Sequence, residues 1–132
     1  MVLLYKYDLE NNLNNQKKFD ELQELVHIDL KKVNSVIKEK IKNKINYIPE
    51  IASHLVKAGG KRIRPMICLA CGRLYNNTNG LENINLAACI ELIHTATLLH
   101  DDVIDESKQR RGLKTANNIW GNKSSVLVGD FL

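Results

Sequence analysis

The sequence predicts an all-α helix bundle, on three observations. Apolar residues recur three or four apart over the first third of the chain, a second stretch is apolar nearly all round, and no run alternates apolar with polar residues as a half-buried strand would.

Taken in order, residues 1–18 carry Asn and Lys with few spaced apolar positions, so they are expected to form an N-terminal arm outside the domain at 19–132. From Leu22, the residues Val26, Leu30, Val33, Ile37, Ile41, Ile45 and Ile48 line one face of a long amphipathic helix, which Pro49 ends or kinks. A short helical segment, Glu50 to Ala58, precedes Gly59-Gly60. Pro65 suits the first turn of a helix running to about Tyr75, which places Lys61, Arg62 and Arg64 at its N-terminus. Asn76-Asn77-Thr78-Asn79-Gly80 reads as a loop. Leu81 then opens a helix to about Asp105, whose stretch from Leu86 to Leu99 is expected to be central because other helices must cover it. A last helix starts near Lys114.

The chain has 132 residues, 44% of them hydrophobic and 26% charged, which is ordinary globular composition. The formal charge of +4 comes from Lys and Arg interspersed with Asp and Glu. That pattern argues against a nucleic-acid partner and fits small anionic ligands. Cys68, Cys71 and Cys89 lie in apolar helical stretches, as packing residues of a cytoplasmic protein would, rather than in a disulfide framework. The Leu86–Leu99 run is broken by Glu91 and His94 and is shorter than the ~18 residues a membrane span requires.

Chemistry concentrates at the end of that run, in His94-Thr95-Ala96-Thr97-Leu98-Leu99-His100-Asp101-Asp102-Val103-Ile104-Asp105. Asp101 and Asp105 are one turn apart on one face, where like charges repel unless a cation sits between them. They also oppose the helix dipole there, a poor position for carboxylates that only meet solvent. Mg²⁺ suits such a pair, since it takes one or two carboxylates and completes its shell with water and phosphate oxygens. An EF-hand is excluded, because a calcium loop starting at Asp101 would need Gly where Glu106 stands and Glu where Gly112 stands. His94 lies two turns earlier on roughly the same stripe and is read either as a core histidine or as a ligand. Arg110-Arg111-Gly112 is read either as a charged surface turn or as a pair of guanidinium forks for diphosphate oxygens, with Gly112 allowing close backbone approach.

These segments together resemble the trans-isoprenyl diphosphate synthases, or polyprenyl synthetases. Gly59-Gly60-Lys61-Arg62-Ile63-Arg64-Pro65 is similar to that family's first signature. Glu91-x-x-His94 with Leu98 to Ser107 is similar to its first aspartate-rich motif. Arg110-Arg111-Gly112, Thr115-Ala116-Asn117 and Gly129-Asp130-Phe131-Leu132 follow in the family's order. Class I terpene cyclases share an aspartate-rich motif but usually lack the Gly-Gly-Lys-Arg-x-Arg-Pro loop.

The resemblance implies the N-terminal part of an isoprenoid-synthase-type bundle, ending before the family's second aspartate-rich motif. It implies that Lys61, Arg64, His94 and Arg111 hold the diphosphate of isopentenyl diphosphate and that Arg110 meets an allylic diphosphate such as farnesyl diphosphate. Asp101 and Asp105 would bind Mg²⁺, with Asp102 supporting this catalytic cluster. Small residues at Ala96 and Thr97 would admit a long product, of octaprenyl or decaprenyl class as in bacterial long-chain synthases. A homodimer or a complementing C-terminal fragment is the expected partner. Residues 1–132 alone are expected to be inactive and to associate. The competing expectation is a non-catalytic, regulatory subunit of a heteromeric synthase.

Overall fold

The computed structural model describes the backbone of residues 2–45, 47–57, 59–75 and 80–132, and the side chains of those from 14 onward. Among them the elements run α1 (Val2–Lys40), α2 (Tyr47–Lys57), α3 (Ile63–Leu74), α4 (Leu81–Ile104), β1 (Gln109–Arg110), β2 (Leu113–Lys114), α5 (Ala116–Trp120) and α6 (Asn122–Phe131). The expected loop at 76–79 lies outside the described residues.

The spaced apolar residues of α1 build the first core cluster. Val26, Val33 and Ile37 pack with Met66 and Leu69 of α3 and with Ile84, Ala87 and Ala88 of α4. Arg73 of α3 ties the same helices together by donating to Asp29 of α1 at 2.8 Å. That bond holds the Asp29 carboxyl below its ordinary range. α1 runs unbroken from Val2 to Lys40, so residues 2–18 are helical. Side chains 14–18 are all exposed, so the lack of spaced apolar residues there removes tertiary packing but not the helix.

Two helix boundaries differ from the expectation. α1 stops at Lys40, well before Pro49, and Ile45 is 63% exposed rather than on the core face. The Asn43 Oδ1 accepts the N–H of Ile45 at 3.0 Å, a local turn that competes with the helical bond. Pro49 instead lies in the first turn of α2, where its missing N–H leaves nothing unpaired. The last expected helix is two. Lys114 belongs to β2, and Gly121, at φ 83° and ψ 159°, separates α5 from α6.

α4 is central, packing against α1, α2, α3, α5 and α6. Its buried side carries Ile84, Ala87, Ala88, Glu91, Thr95, Leu99 and Asp102. Leu99 joins a second cluster with Ile41, Ile51, Ala52, Ala116 and Val128. The helix is not covered all round, since Leu86 and Ile93 are 53% and 58% exposed on its other side. All three cysteines are free. Only Cys68 packs against the core, with its thiol pushed up by burial and then by Cys71. Cys71 and Cys89 are exposed, so packing does not account for them.

Candidate functional site

The loop between α2 and α3 places its cations by backbone conformation. Gly59 has φ 76°, and Arg62, the residue capping α3, has φ 51° and ψ 34°, the left-handed region. The chain therefore reverses between Lys61 and Arg64. The Lys61 ammonium also rests over the Phe19 ring of α1, 5.3 Å from its centroid.

Opposite this loop stands a hairpin that no alternating pattern announced, because its strands are two residues each. Gln109 pairs with Lys114 and Arg110 with Leu113. The connecting Arg111 and Gly112 have φ 52° and 79°, which a two-residue hairpin turn of this twist requires. Gly112 supplies that conformation and not a close approach, since a Cβ there would meet nothing within 4 Å. The close approach is at Gly60, where a Cβ would stand 2.8 Å from Arg111 Nη1. A glycine at 60 thus lets the Arg111 guanidinium lie against the loop backbone.

The hairpin is anchored from two sides, by α4 and α2, and α5 braces the α4 end. Asp102 of α4, 1% exposed, accepts from Arg110 Nε at 3.0 Å and is ion-paired with its Nη2 at 2.9 Å. Asn117 of α5 donates from Nδ2 to the Asp102 carbonyl at 3.0 Å. A ring nitrogen of His54 in α2 bonds the Lys114 carbonyl at 2.8 Å, and that ring meets Trp120 edge-on at 5.2 Å. Asn117 stands in the Thr115-Ala116-Asn117 motif, whereas His54 is singled out by none, because its partner is a backbone carbonyl distant in sequence.

Loop, α4 and hairpin enclose a cavity of about 250 Å³. Lys61, Arg64, His94, Arg110 and Arg111 all line it, together with Arg62, Glu91, Thr95 and Leu98. All five residues expected to bind diphosphate thus meet in one place. Arg62 is not a free cation there: its Nη1 donates to Glu91 Oε1 at 2.5 Å, and both side chains are largely buried. The His94 imidazole is held below its ordinary value by burial, then by Arg64, with Glu91 opposing and Arg111 and Arg110 adding. It is neutral near pH 7 and can donate one ring N–H to an anion.

Asp101 and Asp105 are exposed at the C-terminus of α4, and neither makes an ion pair among the described residues. The Asp105 N–H donates to the Asp101 carbonyl at 2.8 Å. Among the described residues no group of three His, Cys, Asp or Glu side chains could hold a metal ion. Two unpaired carboxylates one turn apart fit a cation such as Mg²⁺, which draws its remaining ligands from water and substrate oxygens. Asp102 lies apart from that pair, on the buried side. Thr97 is exposed and falls on the stripe of Ile93 and Asp101, whereas Ala96 is half-buried to one side.

Residues 45–132 match the family model described as polyprenyl synthetase. The octaprenyl diphosphate synthase of Escherichia coli is 47% identical over 113 residues, covering 86% of this chain and 35% of that protein. The geranyl-diphosphate-specific all-trans-nonaprenyl-diphosphate synthase of Rhodobacter capsulatus is 48% identical over 104 residues, 79% of this chain and 32% of its own length. Among solved structures, a decaprenyl diphosphate synthase from Rhodobacter capsulatus superposes with a TM-score of 0.82 at 53% identity, over 86% of this chain and 35% of that one. A polyprenyl synthase from Caulobacter crescentus, complexed with calcium and isoprenyl diphosphate, gives 0.82 at 47%, over 86% and 34%. The chain spans about a third of the length of the curated relatives it matches. No helix among the described residues is long and apolar enough to cross a membrane.

Proposed function

Because the chain belongs to the polyprenyl synthetase family, we propose that it carries the isopentenyl-diphosphate site and the first metal-binding face of a long-chain prenyl transferase. The reaction is head-to-tail condensation of isopentenyl diphosphate with an allylic diphosphate such as farnesyl diphosphate, giving a polyprenyl diphosphate of octaprenyl or decaprenyl class. The observation that carries this reading is the convergence of Lys61, Arg64, His94, Arg110 and Arg111 on one cavity beside the end of α4.

In this reading Lys61, Arg64 and Arg111 hold the diphosphate of isopentenyl diphosphate by charge-assisted hydrogen bonds, and neutral His94 donates a further one. Arg110, fixed by Asp102, meets the allylic diphosphate. Asp101 and Asp105 would hold Mg²⁺, which when bound supplies positive charge against the departing diphosphate. The apolar side chains along the open stripe of α4 keep water from an allylic cation once a further segment covers them, and the isopentenyl double bond attacks that cation before loss of a proton restores an alkene.

The regulatory-subunit reading gains nothing from exposed, unpaired Asp101 and Asp105, which a subunit built only for packing does not need. Three free thiols suit a reducing compartment, so we place the protein in the cytoplasm. Leu86, Ile93, Leu127 and Phe131 remain open, and a second copy or a complementing C-terminal segment is the proposed cover.

The test is to fuse this chain to the C-terminal two thirds of a long-chain relative and assay it with isopentenyl and farnesyl diphosphates and Mg²⁺. Long polyprenyl products, lost on Asp101→Ala, are expected. A folded fusion that binds neither diphosphate would sink the reading.

A further inference from the structure

The cavity holds one feature that its proposed anion does not explain, the carboxylate of Glu91. A negative charge in an anion site opposes the ligand unless it does something else there. Glu91 is buried on α4, one turn before His94, and its backbone carbonyl accepts the Thr95 hydroxyl at 2.8 Å. Its Oε1 takes Arg62 Nη1, while Arg62 Nη2 reaches the Val56 carbonyl of α2 at 3.4 Å. The Arg62 backbone is left-handed, a conformation that its own Cβ disfavours, and its carbonyl accepts the N–H of Met66 at 3.1 Å in the first turn of α3. One side chain thus connects α2, α3 and α4 at the left-handed residue that caps α3.

We propose that the Arg62–Glu91 ion pair is a positioning device for the diphosphate site. It holds the reversal that brings Lys61 and Arg64, on either side of Arg62, into the cavity shared with His94. Neither member of the pair is a ligand. The inference rests on the proposed diphosphate site and refines it.

The two ideas separate in one experiment, calorimetric titration of inorganic diphosphate into the 132-residue chain and its variants, with helix content followed by circular dichroism. If wild type does not bind diphosphate, the site itself is refuted and this inference with it. If Glu91 acts only through its charge, Glu91→Gln removes a repulsion and tightens binding or leaves it unchanged, which overturns the positioning role. Positioning predicts the opposite sign, a weakening of about tenfold or more, because the loop cations lose their placement.

Arg62 supplies a second measurement that does not require Glu91→Gln to fold. Glycine takes a φ of 51° without strain, so Arg62→Gly keeps the reversal accessible and should bind at least threefold tighter than Arg62→Ala, on the order expected for relief of a strained backbone. Were Arg62 a direct ligand, both would lose the same contact and bind equally, and the proposal would fail.

Discussion

Asp102 Oδ1 accepts a hydrogen bond from Arg110 Nε at 3.0 Å and forms an ion pair with its Nη2 at 2.9 Å, while its Oδ2 is buried with no hydrogen-bond partner. The carboxylate in the middle of the aspartate-rich segment therefore faces a guanidinium, not the exposed side on which Asp101 and Asp105 stand. Asp102→Ala should lower stability by about 2–3 kcal/mol, the low end for breaking a buried pair, because water reaches the freed guanidinium. Urea denaturation measures this. A change under ~0.5 kcal/mol would mean that the pair does not hold the hairpin.

Asp101→Ala and Asp105→Ala should behave oppositely. Both side chains are exposed, so the thermal midpoint and helix content should stay at wild-type values. Turnover in the fused synthase should fall by several orders of magnitude, on the order of ~10³-fold, through loss of a metal ligand. Wild-type rates in either variant would reject the magnesium assignment.

Lys61→Ala and Arg64→Ala should raise KM for isopentenyl diphosphate, each by the equivalent of about 1.5–3 kcal/mol for a lost charge-assisted hydrogen bond. Steady-state kinetics of the fused enzyme at saturating allylic substrate would show it. An unchanged KM for that substrate would remove both residues from the site.

Product length depends on what stands beside the path leading away from Asp101. Thr97 lies on the Asp101 stripe and Ala96 half-buried beside it, so Thr97→Phe should shorten the product more than Ala96→Phe. Chromatography of the dephosphorylated products gives the ladder. A ladder unaltered by both substitutions would route the tail elsewhere.

His94 makes stability depend on pH. Its folded-state pKa is lowered from the ordinary 6.5 by burial and then by Arg64, so the unfolded chain takes up a proton that the native chain refuses. Stability therefore falls as pH drops through that value. His94→Gln should lose less of its thermal midpoint than wild type between about pH 7.5 and about pH 5.5. Equal losses would remove His94 from the acid-sensitive groups.

The sequence by itself determined the helical class, the long core-facing helix, the central apolar helix and every cation of the cavity. Those follow from local rules: the spacing of Val26, Val33 and Ile37 along one helix face, Pro65 in a first turn, and charged residue types that core packing does not call for. What only the tertiary structure decided was which of those charges are free. Arg62 reads in sequence like Lys61 and Arg64, and Asp102 like Asp101. Arg62 is nevertheless tied to Glu91, 29 residues away, and Asp102 to Arg110 of a hairpin too short to leave a periodic trace. The early stop of α1 and the break at Gly121 were hidden for a related reason. An Asn side chain turned onto its own backbone and one glycine at positive φ each outweigh helical periodicity, and only the folded chain shows where that happens.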